Sequence, residues 1–92
     1  MRRAAKVDAN QSQLVKALRD GGCEVECLHA VGGGVADLLV YCRSKLHLLE
    51  VKDGAKPPSA RKLTPDQERW HRYWPVAVVT SVEEALAAVG LP

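Results

Sequence analysis

Residues 35–52 read VADLLVYCRSKLHLLEVK, and how this stretch pairs with itself decides the fold. It holds two strand-like runs, DLLVYC and LHLLEVK, on either side of Arg43, Ser44 and Lys45. Asp37, Glu50 and Lys52 interrupt the apolar pattern at positions where an uncompensated charge costs several kcal/mol. Strand periodicity puts Leu46, Leu48, Glu50 and Lys52 on one face and His47, Leu49 and Val51 on the other. Glu50 and Lys52 are therefore neighbours. An even hairpin loop, either Arg43-Ser44 or Cys42 to Lys45, sets Asp37 opposite Glu50, whereas a three-residue loop pairs Asp37 with Val51 and turns its carboxylate away. The even loop is the expectation. Two carboxylates and an ammonium at the end of a sheet form a hard-oxygen site for a divalent ion, with a cation beside it to steady an anionic nucleophile.

Asp37 followed by Glu50-Val51-Lys52 resembles the signature of the PD-(D/E)XK nucleases. The Gly-rich entry GGGVAD, the continuation EVKDG and the later KLTPDQERW are similar to the virus-type replication and repair (VRR-NUC) branch, a likeness that covers nearly the whole chain. One departure is Ala36, where the family usually carries proline; it touches no ligand. QSQLV at Gln11 is also similar to the E-x-E-L-[IV] of Holliday-junction resolvases, with an amide in place of the first acid.

The resemblance implies a restriction-endonuclease-like αβββαβ core, an α/β fold with a mixed four-stranded sheet flanked by helices and a C-terminal helix. It implies one nuclease domain over residues 1–92 that hydrolyses DNA phosphodiesters with Mg²⁺, for which Mn²⁺ substitutes. Asp37, Glu50 and the Val51 carbonyl are the implied metal ligands. Lys52 assists the attacking water, and Gln11 and Gln67 position water or phosphate. Replication, repair or recombination in a bacterial or phage-infected cytoplasm is the implied setting.

Composition sets the bounds. A chain of 92 residues, 47% hydrophobic and 26% charged, has room for one modest core. Aromatics are only 4% and Phe is absent, so Leu, Val and Ala must build that core, with Trp70 and Trp74 assigned to it in preference to base stacking. A core this thin favours a homodimer. The net charge of +2 does not announce nucleic acid, but its distribution points there. Arg2, Arg3 and Lys6 lie at the N-terminus, and Lys56, Arg61 and Lys62 follow Lys52, placed to take phosphates or else to be solvated surface charge. Cys23, Cys27 and Cys42 form no C-x-x-C pair and read as reduced thiols; a zinc site with His29 lacks a fourth ligand. No run is long enough to span a bilayer.

In chain order, Asp8 and Gln11 read as a capping box opening a helix that stops at Gly21-Gly22, with Gln11, Leu14, Val15 and Leu18 inward. A strand is expected from Glu24 to Ala30, wet on its Glu24 and Glu26 face. The loop Val31-Gly32-Gly33-Gly34 admits positive φ but is no phosphate-binding loop, because G-K-[ST] is missing. Asp53 to Ala60 reads as a linker whose prolines exclude helix and ladder. Thr64, Pro65 and Gln67 announce a second helix, where Gln67 reads either as a cap or as the active-site glutamine of the T-x-x-Q-x-x-W that the resemblance implies. Pro75 ends it, residues 76–79 form a buried strand, and Ser81 to Glu84 caps a last helix finishing at Gly90. The crossover makes the fourth strand parallel to the third.

Overall fold

The structure, a computed structural model, describes residues 10–92. Arg43 and Ser44 take φ of 53° and 66°, as a two-residue type I′ hairpin turn requires at both central positions. They join β2 (Leu38–Cys42) to β3 (Lys45–Val51) in antiparallel register, Cys42 opposite Lys45 and Leu38 opposite Leu49. The Arg43 guanidinium donates to the Gly90 carbonyl, which ties the turn to the far end of the chain. Short β1 (Glu24–Cys27) adds to β2 antiparallel, and β4 (Val76–Val79) adds to β3 in parallel, giving the sheet order β1-β2-β3-β4. The sheet is mixed and four-stranded, with three flanking helices in the order αβββαβα.

Two of these, α1 (Gln11–Asp20) and α3 (Val82–Ala88), cover one face of the sheet. Leu14, Val15 and Leu18 meet Leu38, Val40, Leu49, Val51 and Val79 there, with Ala85 and Val89 closing the cluster. Gln13, Lys16 and Arg19 of α1 are exposed, as helical periodicity requires. Cys23 and Cys42 are buried in the same layer as free thiols, and burial, together with the Cys42 contact, pushes the Cys23 thiol up to about 12. That value makes it an inert core side chain.

Several local expectations are corrected. The helix starts at Gln11 with Asn10 in the cap position and no side-chain cap bond. Gln11 is thus its first residue, where it cannot complete a capping box, and Asp8 lies outside the described residues. The Asn10 amide instead donates to the carbonyls of Lys52 (3.3 Å) and Thr80 (3.1 Å), pinning the start of α1 to the ends of β3 and β4. β1 stops at Cys27, short of Ala30, because after the bond from Leu28 N–H to the Asp37 carbonyl the chain turns on itself, Val31 N–H reaching the Leu28 carbonyl. Within the supposed linker, residues 58–61 form one 3₁₀ turn (Pro58–Arg61) with proline at its start, where the missing N–H has no partner to lose. Arg2, Arg3 and Lys6 lie outside the described residues.

The second helix, α2 (Pro65–His71), lies over the opposite face near the Glu50 end. Its N-terminus carries the expected capping box, with Thr64 Oγ accepting from Gln67 N–H at 3.2 Å and Gln67 Oε1 accepting from Thr64 N–H at 2.9 Å. Trp70 and Trp74 do not join the core. They stack on each other, ring centres 5.0 Å apart and 11° from parallel, and Trp74 is 50% exposed. Both rings border a hollow over the sheet face with Leu39, Leu46 and Leu48, on the side away from the aliphatic core.

Candidate active site

Continuing the β2–β3 register by one position sets Asp37 opposite Glu50 on the face that α2 partly covers. Both are buried, 5% and 2% exposed. Their alignment is held from the backbone, for the Val51 N–H donates to Asp37 Oδ2 at 2.7 Å. Within a strand, one residue's N–H and C=O point to the same side, so the Val51 carbonyl faces toward Asp37 as well.

Gln67 connects this pair to Lys52. Its Nε2 donates to Glu50 Oε2 at 3.1 Å while its Oε1 accepts from Lys52 Nζ at 2.9 Å, in addition to the Thr64 N–H. One amide therefore caps α2 and bridges the carboxylate to the ammonium. Cap and site are the same set of bonds. An amide suits that place because it offers a donor to the anion and an acceptor to the cation at once.

The glycine-rich loop positions that amide. Gly32, Gly33 and Gly34 all have positive φ, and a Cβ built at Gly34 would collide with the Asp66 carbonyl and lie 2.8 Å from Gln67 N. The absence of a side chain at Gly34 is what lets the loop press against the first turn of α2.

His71 is the residue beside Glu50 that the sequence reading missed. One helical turn beyond Gln67, it brings Nε2 to 3.6 Å from Glu50 Oε1 with its side chain 12% exposed. Burial pushes its pKa below the usual 6.5, the Lys52 charge pushes it further, and Asp37 opposes them. The approach to Glu50 is too long for a hydrogen bond. The i, i+4 spacing from Gln67 was the signal available in the sequence.

Gln11 is 3% exposed at the start of α1, and its Oε1 has no hydrogen-bond partner among the described residues. No hydrogen bond links Gln11 to Asp37, Glu50, Lys52 or Gln67 among the described residues; the link runs through its neighbour Asn10, bonded to the Lys52 carbonyl. Of the three cations expected to meet DNA, Lys56 and Lys62 are exposed. Arg61 is half-buried, and its charge acts on Glu84, whose pKa is lowered first by the bonds from Thr80 N–H and Oγ and then by Arg61.

No protein-family model, curated protein or solved structure matches this chain. Among the described residues no three His, Cys, Asp or Glu side chains are grouped to hold a metal. The hard donors in place are two carboxylates and a backbone carbonyl, with Lys52, Gln67 and His71 around them. No helix among the described residues is long and apolar enough to cross a membrane.

Proposed function

We propose that this chain is a Mg²⁺-dependent nuclease of the PD-(D/E)XK type, in its VRR-NUC-like form, that hydrolyses DNA phosphodiesters. The observation that carries the reading is the chain of contacts Asp37, Glu50, Gln67, Lys52: two buried carboxylates side by side, with an ammonium held next to them through a single amide. Buried ion clusters seldom improve on an apolar core, so a fold that keeps one is using its charge.

Asp37, Glu50 and the Val51 carbonyl form a small all-oxygen set that fits Mg²⁺, an ion that keeps much of its water and needs few protein ligands. When bound, it supplies positive charge against the phosphate oxygens and makes water more acidic. Lys52 steadies the hydroxide-like nucleophile by charge, and Gln67 fixes where that ammonium sits. His71 packs beside Glu50 and keeps bulk water from its carboxylate. Lys56 and Lys62 hold backbone phosphates, with Arg61 a lesser contributor because it is half-buried. Gln11 orients water with its unspent Oε1. A homodimer presents two such sites to a duplex or branched substrate, as repair and recombination, in a phage or its host, would require. Of the two edge strands, β1 and β4, we assign that pairing to β4, where Val78 is 45% exposed.

Incubation with labelled duplex, flap, junction and single-stranded DNA in Mg²⁺ or Mn²⁺, beside Glu50→Ala, tests the activity. Cleavage that needs the ion and Glu50 supports it. Salt-dependent binding without product would instead identify a DNA-binding module, a reading favoured by the amide at Gln11. Light scattering at micromolar concentration checks the dimer.

A further inference from the structure

We infer that the stacked pair Trp70 and Trp74, with the apolar hollow beside it, is a subsite for one unpaired nucleobase of the DNA strand; this rests on the nuclease reading. The hollow, about 440 Å³, is lined by Leu28, Leu39, Leu46, Leu48 and Pro75 beside the two tryptophans. Leu39 and Leu48 are paired across β2 and β3 and stand one same-face step from Asp37 and Glu50, a separation of roughly 6.6–6.8 Å. Trp70 follows Gln67 by three residues and meets His71 edge-on at 6.4 Å. A strand whose phosphate lies at Lys52 and Glu50 thus has its neighbouring base over this hollow.

Shape and charge select the occupant. The indoles lie parallel with Trp74 half exposed, so the stack has an open π-face on which a further planar ring can sit. Stacking of this kind accepts any base. Seven side chains line the hollow, well short of the roughly 20–30 residues per side of a stable protein interface. Glu24 and Glu26, exposed on β1 opposite Tyr41 and Leu39, repel phosphate from that flank. They confine the backbone to the side where Lys52 lies.

The test uses the full chain in EDTA with a fluorescein-labelled 12-nucleotide oligo-dT, reading anisotropy, and tryptophan fluorescence with the unlabelled strand. Trp74→Ala is expected to weaken binding about tenfold and Trp74→Tyr by less than about threefold. Oligonucleotides carrying one abasic position, scanned along the strand, should reproduce the loss in the unsubstituted protein at one position and add nothing to Trp74→Ala. Equal affinity of Trp74→Ala and the unsubstituted protein overturns the subsite. So does an equal abasic effect in both proteins, or loss of a dimer in Trp74→Ala, which assigns the hollow to a second copy. Absence of cleavage in Mg²⁺ with the base effect intact refutes the nuclease reading alone, and absence of all DNA binding refutes both.

Discussion

The two faces of the sheet differ in what their burial is for. Under α1 and α3, Leu14, Leu18, Leu38, Leu49 and Val51 are closed off with no buried charge among them. Under α2 the buried side chains are Asp37 and Glu50, and the apolar ones, Leu46 at 70% and Trp74 at 50%, stay open. The aliphatic face supplies the stability, and that lets the other face hold charges which oppose folding. One β-hairpin serves both, because alternation along β2 and β3 sends successive residues to opposite sides.

The largest expected effect is on the charged face. Lys52→Ala and Glu50→Ala should each lower cleavage by about a thousandfold or more, as losses of transition-state charge stabilisation do. Calorimetry should show Mg²⁺ binding kept in Lys52→Ala and lost in Glu50→Ala; unchanged cleavage in either would remove that residue from the chemistry.

Next comes the contrast in stability. Leu18→Ala, at a fully buried position, is expected to cost about 2–5 kcal/mol, while Leu46→Ala on the open face should change stability by less than about 0.5 kcal/mol. Urea denaturation of the two variants would show equal losses if both faces were core.

Gly34→Ala probes the join between the loop and the charged face. Its positive φ and the nearness of the Gln67 backbone predict a loss of about 1–3 kcal/mol. Cleavage should fall with it, since Gln67 moves; a thermal scan and a rate at the same temperature separate the two effects. Replacing Lys56, Arg61 and Lys62 together should flatten the log–log salt dependence of duplex binding by about 2 to 3 units, because each cation that holds a phosphate contributes about 0.9 to the slope. A slope that stays put would return them to solvated surface.

The smallest effect is at α3. Thr80 holds the folded Glu84 pKa below its ordinary 4.5. A depressed carboxylate stabilises the fold above its unfolded pKa and loses that contribution as pH falls through the folded value. Melting temperatures of the unsubstituted protein and Glu84→Gln should therefore differ at neutral pH and converge below 4.5. A constant gap would mean that the amide loses packing and not charge.

What the sequence determined by itself was whatever depends on near neighbours: the helix faces of α1, the Thr64, Pro65 and Gln67 cap, the parallel crossover to β4, and the period-two alternation joining Glu50 to Lys52. Each follows from backbone geometry that repeats over a few residues. The tertiary structure decided what depends on separated segments. The hairpin loop settled at two residues, which fixed the parity that sets Asp37 beside Glu50. Gln67 became at once a cap and a bridge because Lys52 arrives from another element. His71 came to 3.6 Å from Glu50, Arg61 ended half-buried, and the tryptophans stayed outside the core. Period and propensity carry no information about which distant group lies opposite a side chain. Packing supplies it, and at Gln67 the separation it closes is the one from β3 to α2.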